Sequence, residues 1–327
     1  MDYRYELPRE LIAQRPAEPR SSSRLMVLSP SNIEHTVFGE LPRYLREGDV
    51  LVLNNTKVLP VRLVGRKPTG GRVEVTLVSE LGGRRWKCFV KGRVGRGGRI
   101  LFDGAEAEIV RAERSTFEIV FSECDPRELI RERGEPPLPP YIKNKVPLDQ
   151  YQTVYAEVPG SVAAPTAGLH FTPELLSEIR KRGVEIARVT LHIGPGTFLP
   201  VKADTPEAHK MEPEYYSIDH ENAERINAAE RVIAVGTTTV KALESASENG
   251  VVCPRSGWSS LFIYPPYTFR SRIHGLLTNF HLPGSTLLML VSAYAGWERI
   301  LEAYNEAVKR RYRFYSFGDA MLILKCS

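Results

Sequence analysis

The sequence lacks any apolar run long enough to cross a membrane. The densest, Leu287–Val291, has the length of a buried core segment. The opening MDYRYELPRE has no apolar stretch of the signal-peptide kind. Cysteine is scarce: Cys88, Cys124, Cys253 and Cys326 stand far apart, and none forms a C-x-x-C pair. That spacing excludes a zinc knuckle and a dithiol redox motif, and it offers no disulfide framework. A reducing cytoplasm is the expected setting. Histidine pairs at metal-ligand spacing are missing, as is H-E-x-x-H, so no metal centre is expected. G-x-S-x-G is absent too, which removes the nucleophile elbow. No short repeat or low-complexity tract is present.

What remains is ordinary for a soluble globular protein. The chain has 327 residues, 42% hydrophobic and 25% charged. That length suggests about two domains. The net charge is +5, but it is unevenly spread. Between Arg62 and Arg99 there are eleven Lys/Arg and two acids, Glu74 and Glu80. Such a segment suits a polyanionic partner, nucleic acid first. It reads equally as a solvated basic face.

The texture of the chain changes twice. Before Val58 lie a short strand, Arg24–Leu28, a helix over 38–46, and a buried strand over 50–53. From Val58, short apolar or alternating runs recur about every ten residues, separated by Gly-rich turns. Six such strands predict a small antiparallel barrel. The run Glu135-Pro-Pro-Leu-Pro-Pro140 reads as a stiff linker. After it, strands and helices alternate, which predicts a layered, largely parallel sheet. The expected fold class is therefore α/β. A layered catalytic domain, 1–57 with 141–327, would carry an inserted basic β-barrel domain over 58–140.

Several loops in the α/β part could hold a ligand. Val232–Thr239 runs from a strand through Gly236 into a helix, offering free N–H groups and hydroxyls to an anion. No Gly-Lys-Ser/Thr follows, so it is not a P-loop. Ala164–Thr172, with Thr166, Gly168 and His170, precedes a helix capped by Thr172. His192–Phe198 ends a strand and turns on Gly194 and Gly196. Thr278–Ser285, with His281, precedes another helix, and a strand is expected over 260–264. Each of these also has a plain reading as a turn or cap. The Arg310–Tyr315 run alternates arginines with aromatics that would stack on bases or pack beneath the last strand. From these residues alone the chain reads as an α/β enzyme acting on a nucleotide-like substrate, with no reaction type fixed.

At these loops the chain resembles the S-adenosylmethionine:tRNA ribosyltransferase-isomerases of queuosine biosynthesis. The resemblance is carried by Tyr5–Pro8, Leu11–Gln14, Arg20–Leu25, Gly48–Thr56, Tyr151–Thr172, His192–Val201, Val232–Ser245, Leu277–Ala295 and Tyr312–Ile323. The strings VAAPTAGLHF and TNFHLP are its most specific parts, and the barrel matches more loosely. The resemblance implies transfer and isomerisation of the ribosyl part of S-adenosylmethionine onto 7-aminomethyl-7-deazaguanine at the tRNA wobble position. Epoxyqueuosine-tRNA, adenine and methionine would be the products. S-adenosylmethionine would be a consumed substrate, so no resident cofactor is expected. The partners would be precursor-bearing tRNA and S-adenosylmethionine, with no membrane, and the protein a monomer.

That chemistry selects candidates among the motif residues. His170, His281 and Asp319 are the acid/base candidates. Thr166, Gly168, Gly194, Thr197, Thr237 and Thr238 are candidates for S-adenosylmethionine contacts. Arg24 and Asn55, with Lys91, Arg93 and Arg96 of the basic segment, are candidates for tRNA. The alternatives are an S-adenosylmethionine-dependent RNA methyltransferase and a non-catalytic RNA-binding protein. The chain departs from the family pattern at Glu212, where a His is usual, and at His274, where an Asp is usual. The exchange predicts that the two touch as an acid–imidazole pair, with the carboxylate raising the His pKa.

Overall fold

The computed structural model describes residues 3–113, 116–194 and 205–325. The chain forms two compact units, Met1–Lys57 with Pro139–Ser327, and Val58–Leu138. Among the described residues no helix is long and apolar enough to cross a membrane.

The first unit is built on a nine-stranded sheet. Its order is Arg255–Ser259, Glu214–Ile218, Glu185–Leu191, Asp49–Asn54, Arg231–Val235, Gly275–Asn279, Ala320–Leu324, Arg24–Leu28, Ile33–Val37. Asp49–Asn54 is buried at every position. Its alternate side chains point to opposite faces. Val50 and Val52 accordingly join one apolar cluster, and Leu51 and Leu53 the other. Leu175, Leu176 and Ile179 of the helix Pro173–Lys181 cover one face. The helices Thr237–Ala246, Thr286–Ala295 and Trp297–Lys309 cover the other, through residues such as Val240, Leu243, Leu288 and Ile300. Burying one such side chain contributes about 1.5–3 kcal/mol. The layered α/β expectation is met.

The sheet is mixed rather than largely parallel. Glu185–Leu191, Asp49–Asn54, Arg231–Val235 and Gly275–Asn279 run parallel to one another. Ala320–Leu324 pairs antiparallel to Gly275–Asn279, with Asn279 opposite Ala320. Two consecutive helices separate these strands in sequence and return the chain to the edge it left. Both outer edges are also antiparallel.

Three local expectations shift for identifiable reasons. Phe38–Tyr44 is a 3-10 helix containing Pro42, which has no N–H to give an α-helix. The strand expected over 260–264 lies instead at Arg255–Ser259. The later run packs its apolar side chains as irregular chain ahead of Pro265-Pro266, which cannot donate to a ladder. The strand Gly275–Asn279 ends in the polar pair Thr278-Asn279, which reads as loop.

The Glu212–His274 contact is not made. His274 precedes Gly275 at the amino ends of the parallel strands, where its Nδ1 accepts the Val232 N–H at 3.0 Å. Glu214, two residues after Glu212, accepts the Gly194 N–H at the opposite, carboxyl end of Glu185–Leu191. The His274 pKa is lowered, by burial first and then by Arg272 and Arg231. The two departures from the family pattern are therefore separate changes.

The second unit is a closed barrel in the order Thr116–Ser122, Arg85–Lys91, Arg72–Gly82, Arg62–Arg66, Arg99–Phe102, Ala105–Glu113. Its first strand begins at Arg62 rather than Val58, because Pro60 cannot join the ladder. Alternate residues such as Val73, Val75, Leu77, Ile109 and Phe121 fill the interior. Gly65 is needed where strands crowd: a Cβ there would lie 2.8 Å from Ile100 and from the Leu101 carbonyl. Strand pairing also neutralises part of the basic segment. Arg99 meets Glu106 and Arg85 meets Glu118. The whole unit carries sixteen Lys/Arg against twelve Asp/Glu. Arg93 and Arg96 are exposed and make no hydrogen bond or ion pair among the described residues.

Candidate active site

Four parallel strands present their carboxyl ends at one edge of the large sheet, where open α/β sheets bind ligands. A cavity of about 290 Å³ opens there. Its walls come from separate stretches of chain: Pro165–Ala167, Ile193, Gly236–Thr238, Thr278–Ser285, and Tyr141 with Tyr315 and Ser316. The glycine-bearing loops picked out by sequence thus converge on one cleft, although Gly168 and Gly194 do not line it. Gly168 packs its backbone on Tyr155, whose hydroxyl would lie 1.9 Å from an added Cβ. Thr197 lies outside the described residues.

Two helix starts face the cavity. Gly236 adopts φ +90°, a left-handed conformation that favours glycine, and so turns the strand into the helix beginning at Thr237. Asn54 fixes that turn, donating from Nδ2 to the Thr238 Oγ1 at 3.2 Å and to the Leu191 carbonyl at 3.0 Å. Ser285 caps the second helix through the Leu288 N–H. Helix starts attract negative groups through their free N–H donors and the helix dipole.

The two histidines differ in place and in what they do. His281 lines the cleft, with its Nε2 2.7 Å from the Thr278 Oγ1. Its backbone is pinned on both sides, by the Tyr304 hydroxyl at 2.9 Å and the Tyr5 hydroxyl at 2.5 Å. His170 stands outside that cavity. It stacks on Phe38 and bridges the Ser23 Oγ at 2.8 Å and the Asn279 Nδ2 at 3.3 Å. Because Asn279 donates to Nε2, the ring proton belongs on Nδ1, where Ser23 can accept it. Burial pushes His170 down to about 4 and His281 down to about 3. Both rings are neutral at physiological pH. A neutral ring carries one N–H and one acceptor nitrogen, so neither histidine carries the extra proton of an imidazolium. Through Asn279, which also donates to the Tyr315 carbonyl, His170 is a positioning residue for the cleft wall.

Asp319 is not placed for proton transfer. It is 1% exposed and accepts the backbone N–H groups of Arg24 and Arg313 at 3.1 and 2.8 Å. Its remaining acceptor sites meet both guanidinium groups. It is a structural anion, and Arg24 is its counterion rather than a free RNA contact. Arg24 further donates to the Arg310 carbonyl and lies 4.2 Å from the Tyr312 ring centroid. Asn55 is also engaged internally, donating to Glu157 and accepting from the Thr190 hydroxyl. The Arg310–Tyr315 run resolves toward packing: Tyr312 and Phe314 are core residues, and only Tyr315 reaches the cleft. Lys91 is exposed and lies 3.6 Å from Glu74.

Sequence reasoning missed Lys241 and Glu214, a buried ion pair at 2.9 Å. A lysine inside a helix and a glutamate opening a strand carry no motif signal. It also missed Tyr141 and Ser316, which come from a linker and a turn.

The family model described as "Queuosine biosynthesis protein" matches residues 1–323. The chain belongs to the queuosine biosynthesis protein family. Within that family it is 51% identical over 333 residues to the S-adenosylmethionine:tRNA ribosyltransferase-isomerase of Thermotoga petrophila, covering 99% of both chains. It is 52% identical over 341 residues to the protein of that name from Thermus thermophilus, covering 98% of each. Among solved structures, the S-adenosylmethionine tRNA ribosyltransferase of Thermotoga maritima, determined at 2.00 Å, matches with a TM-score of 0.58. It is 40% identical, over 99% of this chain and 100% of that one. The resemblance read from the motifs is borne out across the full length.

Proposed function

We propose that this queuosine-family chain is an S-adenosylmethionine:tRNA ribosyltransferase-isomerase. It moves the ribosyl part of S-adenosylmethionine onto 7-aminomethyl-7-deazaguanine at the tRNA wobble position, releasing adenine and methionine. The observation that carries this reading is the full-length match to relatives of that name at about half identity. The cleft is consistent with it: an apolar cavity with a few convergent polar groups suits a nucleoside ligand. S-adenosylmethionine is the consumed substrate, and the reading requires no resident cofactor. The methyltransferase alternative has no counterpart among these relatives.

The chemistry begins at the sulfonium, which acidifies the neighbouring C5′ hydrogens. A base must remove one of them, and His281, which lines the cleft, is the residue proposed for that role. Thr278 fixes the ring orientation through Nε2. His281→Asn is expected to lower kcat by about a hundredfold, with S-adenosylmethionine affinity changing only severalfold. Near-normal turnover would leave His281 a structural residue.

The barrel supplies the electrostatic contact with tRNA in this reading. Arg93 and Arg96 are exposed between two barrel strands and have no side-chain partner among the described residues. Replacing both with Glu should weaken tRNA binding and reduce the slope of log affinity against log salt by about two. S-adenosylmethionine affinity should hold. Unchanged tRNA affinity at low salt would remove this turn from the interface. The overall reading is tested by incubating the protein with S-adenosylmethionine and precursor-bearing tRNA and measuring free adenine.

A further inference from the structure

Beside the main cleft lies a smaller cavity of about 30 Å³. Thr237, Thr238 and Leu287 line both, forming a common wall. The two differ in charge. Among the described residues no Lys, Arg, Asp or Glu lines the large cavity, whereas the small one contains Lys241 and Glu214 against Met211, Leu261, Phe262 and Leu290.

That pair is buried, with the side chains 7% and 6% exposed and Lys241 Nζ 2.9 Å from the Glu214 Oε2. Such a pair is a poor stabilising device, because desolvation offsets most of the attraction and apolar residues of equal volume often serve as well. Its position suggests another role. Lys241 lies four residues after Thr237, and helical side chains lean toward the helix start. Its ammonium therefore approaches the turn whose N–H groups have no helical partner. Among the described residues only one of its three N–H donors is matched, by Glu214. A carboxylate placed here would meet the ammonium and the helix start together. Glu214, whose other oxygen accepts the Gly194 N–H at 2.9 Å, holds a fixed negative charge beside that ammonium.

We infer that Lys241 and Glu214 form the subsite for the amino-acid end of S-adenosylmethionine. Lys241 takes the carboxylate and Glu214 the ammonium, with the nucleoside in the larger cavity. The inference rests on the ribosyltransferase reading and deepens it by fixing which way the substrate lies.

Calorimetric binding of three ligands tests it: S-adenosylmethionine, its decarboxylated analogue S-adenosyl-3-methylthiopropylamine, and methylthioadenosine, which lacks the amino-acid end. The wild-type protein should bind S-adenosylmethionine about tenfold to a hundredfold more tightly than the decarboxylated analogue, as expected for a charge-assisted contact. In Lys241→Met that preference should fall to within about threefold, with methylthioadenosine bound as before. Equal wild-type affinity for S-adenosylmethionine and the decarboxylated analogue would overturn the assignment, whether or not the variant folds. So would a Lys241→Met protein that loses affinity for all three ligands alike, since the pair would then only shape the cavity. Wild-type protein that binds none of them would instead defeat the ribosyltransferase reading, and this subsite with it.

Discussion

Asp319→Ala is expected to destabilise the α/β unit by about 3–5 kcal/mol. The carboxylate is almost fully buried and joins two arginines across the fold, Arg24 on one strand and Arg313 in the turn before the last. It also accepts two backbone N–H groups, one from each of those residues. Alanine would leave two guanidinium groups close together without their anion, and both N–H groups without an acceptor. Asp319→Asn should fall between, because one amide oxygen still accepts while the charge is gone. Urea unfolding of the two variants beside the parent measures this. A loss below about 1 kcal/mol, the range of exposed pairs, would show that solvent replaces the carboxylate and that Asp319 is not the clamp described here.

Acidification should weaken the fold between pH 7 and pH 5 by about 4 kcal/mol, from His170 and His281 together. The sign follows from the direction of the shifts. Burial lowers both pKa values, to about 4 and about 3, while an unfolded histidine titrates near 6.5. Well above 6.5 neither state binds the proton, and the full stability is present. As the pH falls below 6.5 the unfolded chain gains protons that the folded chain refuses, at about 1.4 kcal/mol per pH unit for each ring. Urea midpoints at pH 7 and pH 5 report the loss. His170→Gln, which keeps polar contacts without a titrating ring, should remove that ring's share of the slope. A stability that stays level from pH 7 to pH 5 would mean that the rings are not held neutral.

Much of the architecture was legible because it rests on short-range signals. The helix Pro126–Arg133 follows from Asp125 and Pro126 at its start, and the helix after Thr172 from its cap and Pro173. The barrel strands showed through alternation and Gly-rich turns. What escaped was set by distant partners. Gly275–Asn279 is a central strand although its last two residues are polar: Thr278 meets the His281 ring, and Asn279 is held by Tyr315 and His170. The antiparallel return of Ala320–Leu324 depends on how two successive helices cross the sheet, which no local pattern encodes.

The candidate site shows the same division. Glycines and hydroxyls at strand ends marked the loops that line the cleft. Which ionisable group reaches the cleft was not legible, because it depends on side-chain direction. His170 turns inward to Ser23 and Asn279, Asp319 turns to two arginines, and His281 remains at the cavity. Lys241 and Glu214 come together only when a helix packs over a strand far from it in sequence.

The fate of S-adenosylmethionine tests the central claim most directly. Purified protein is incubated with S-adenosylmethionine and tRNA bearing 7-aminomethyl-7-deazaguanine, and the small-molecule products are separated and counted against modified tRNA. The ribosyltransferase-isomerase account predicts one adenine and one methionine for each tRNA modified, with no release from tRNA that lacks the precursor base. Appearance of S-adenosylhomocysteine in place of adenine would contradict it.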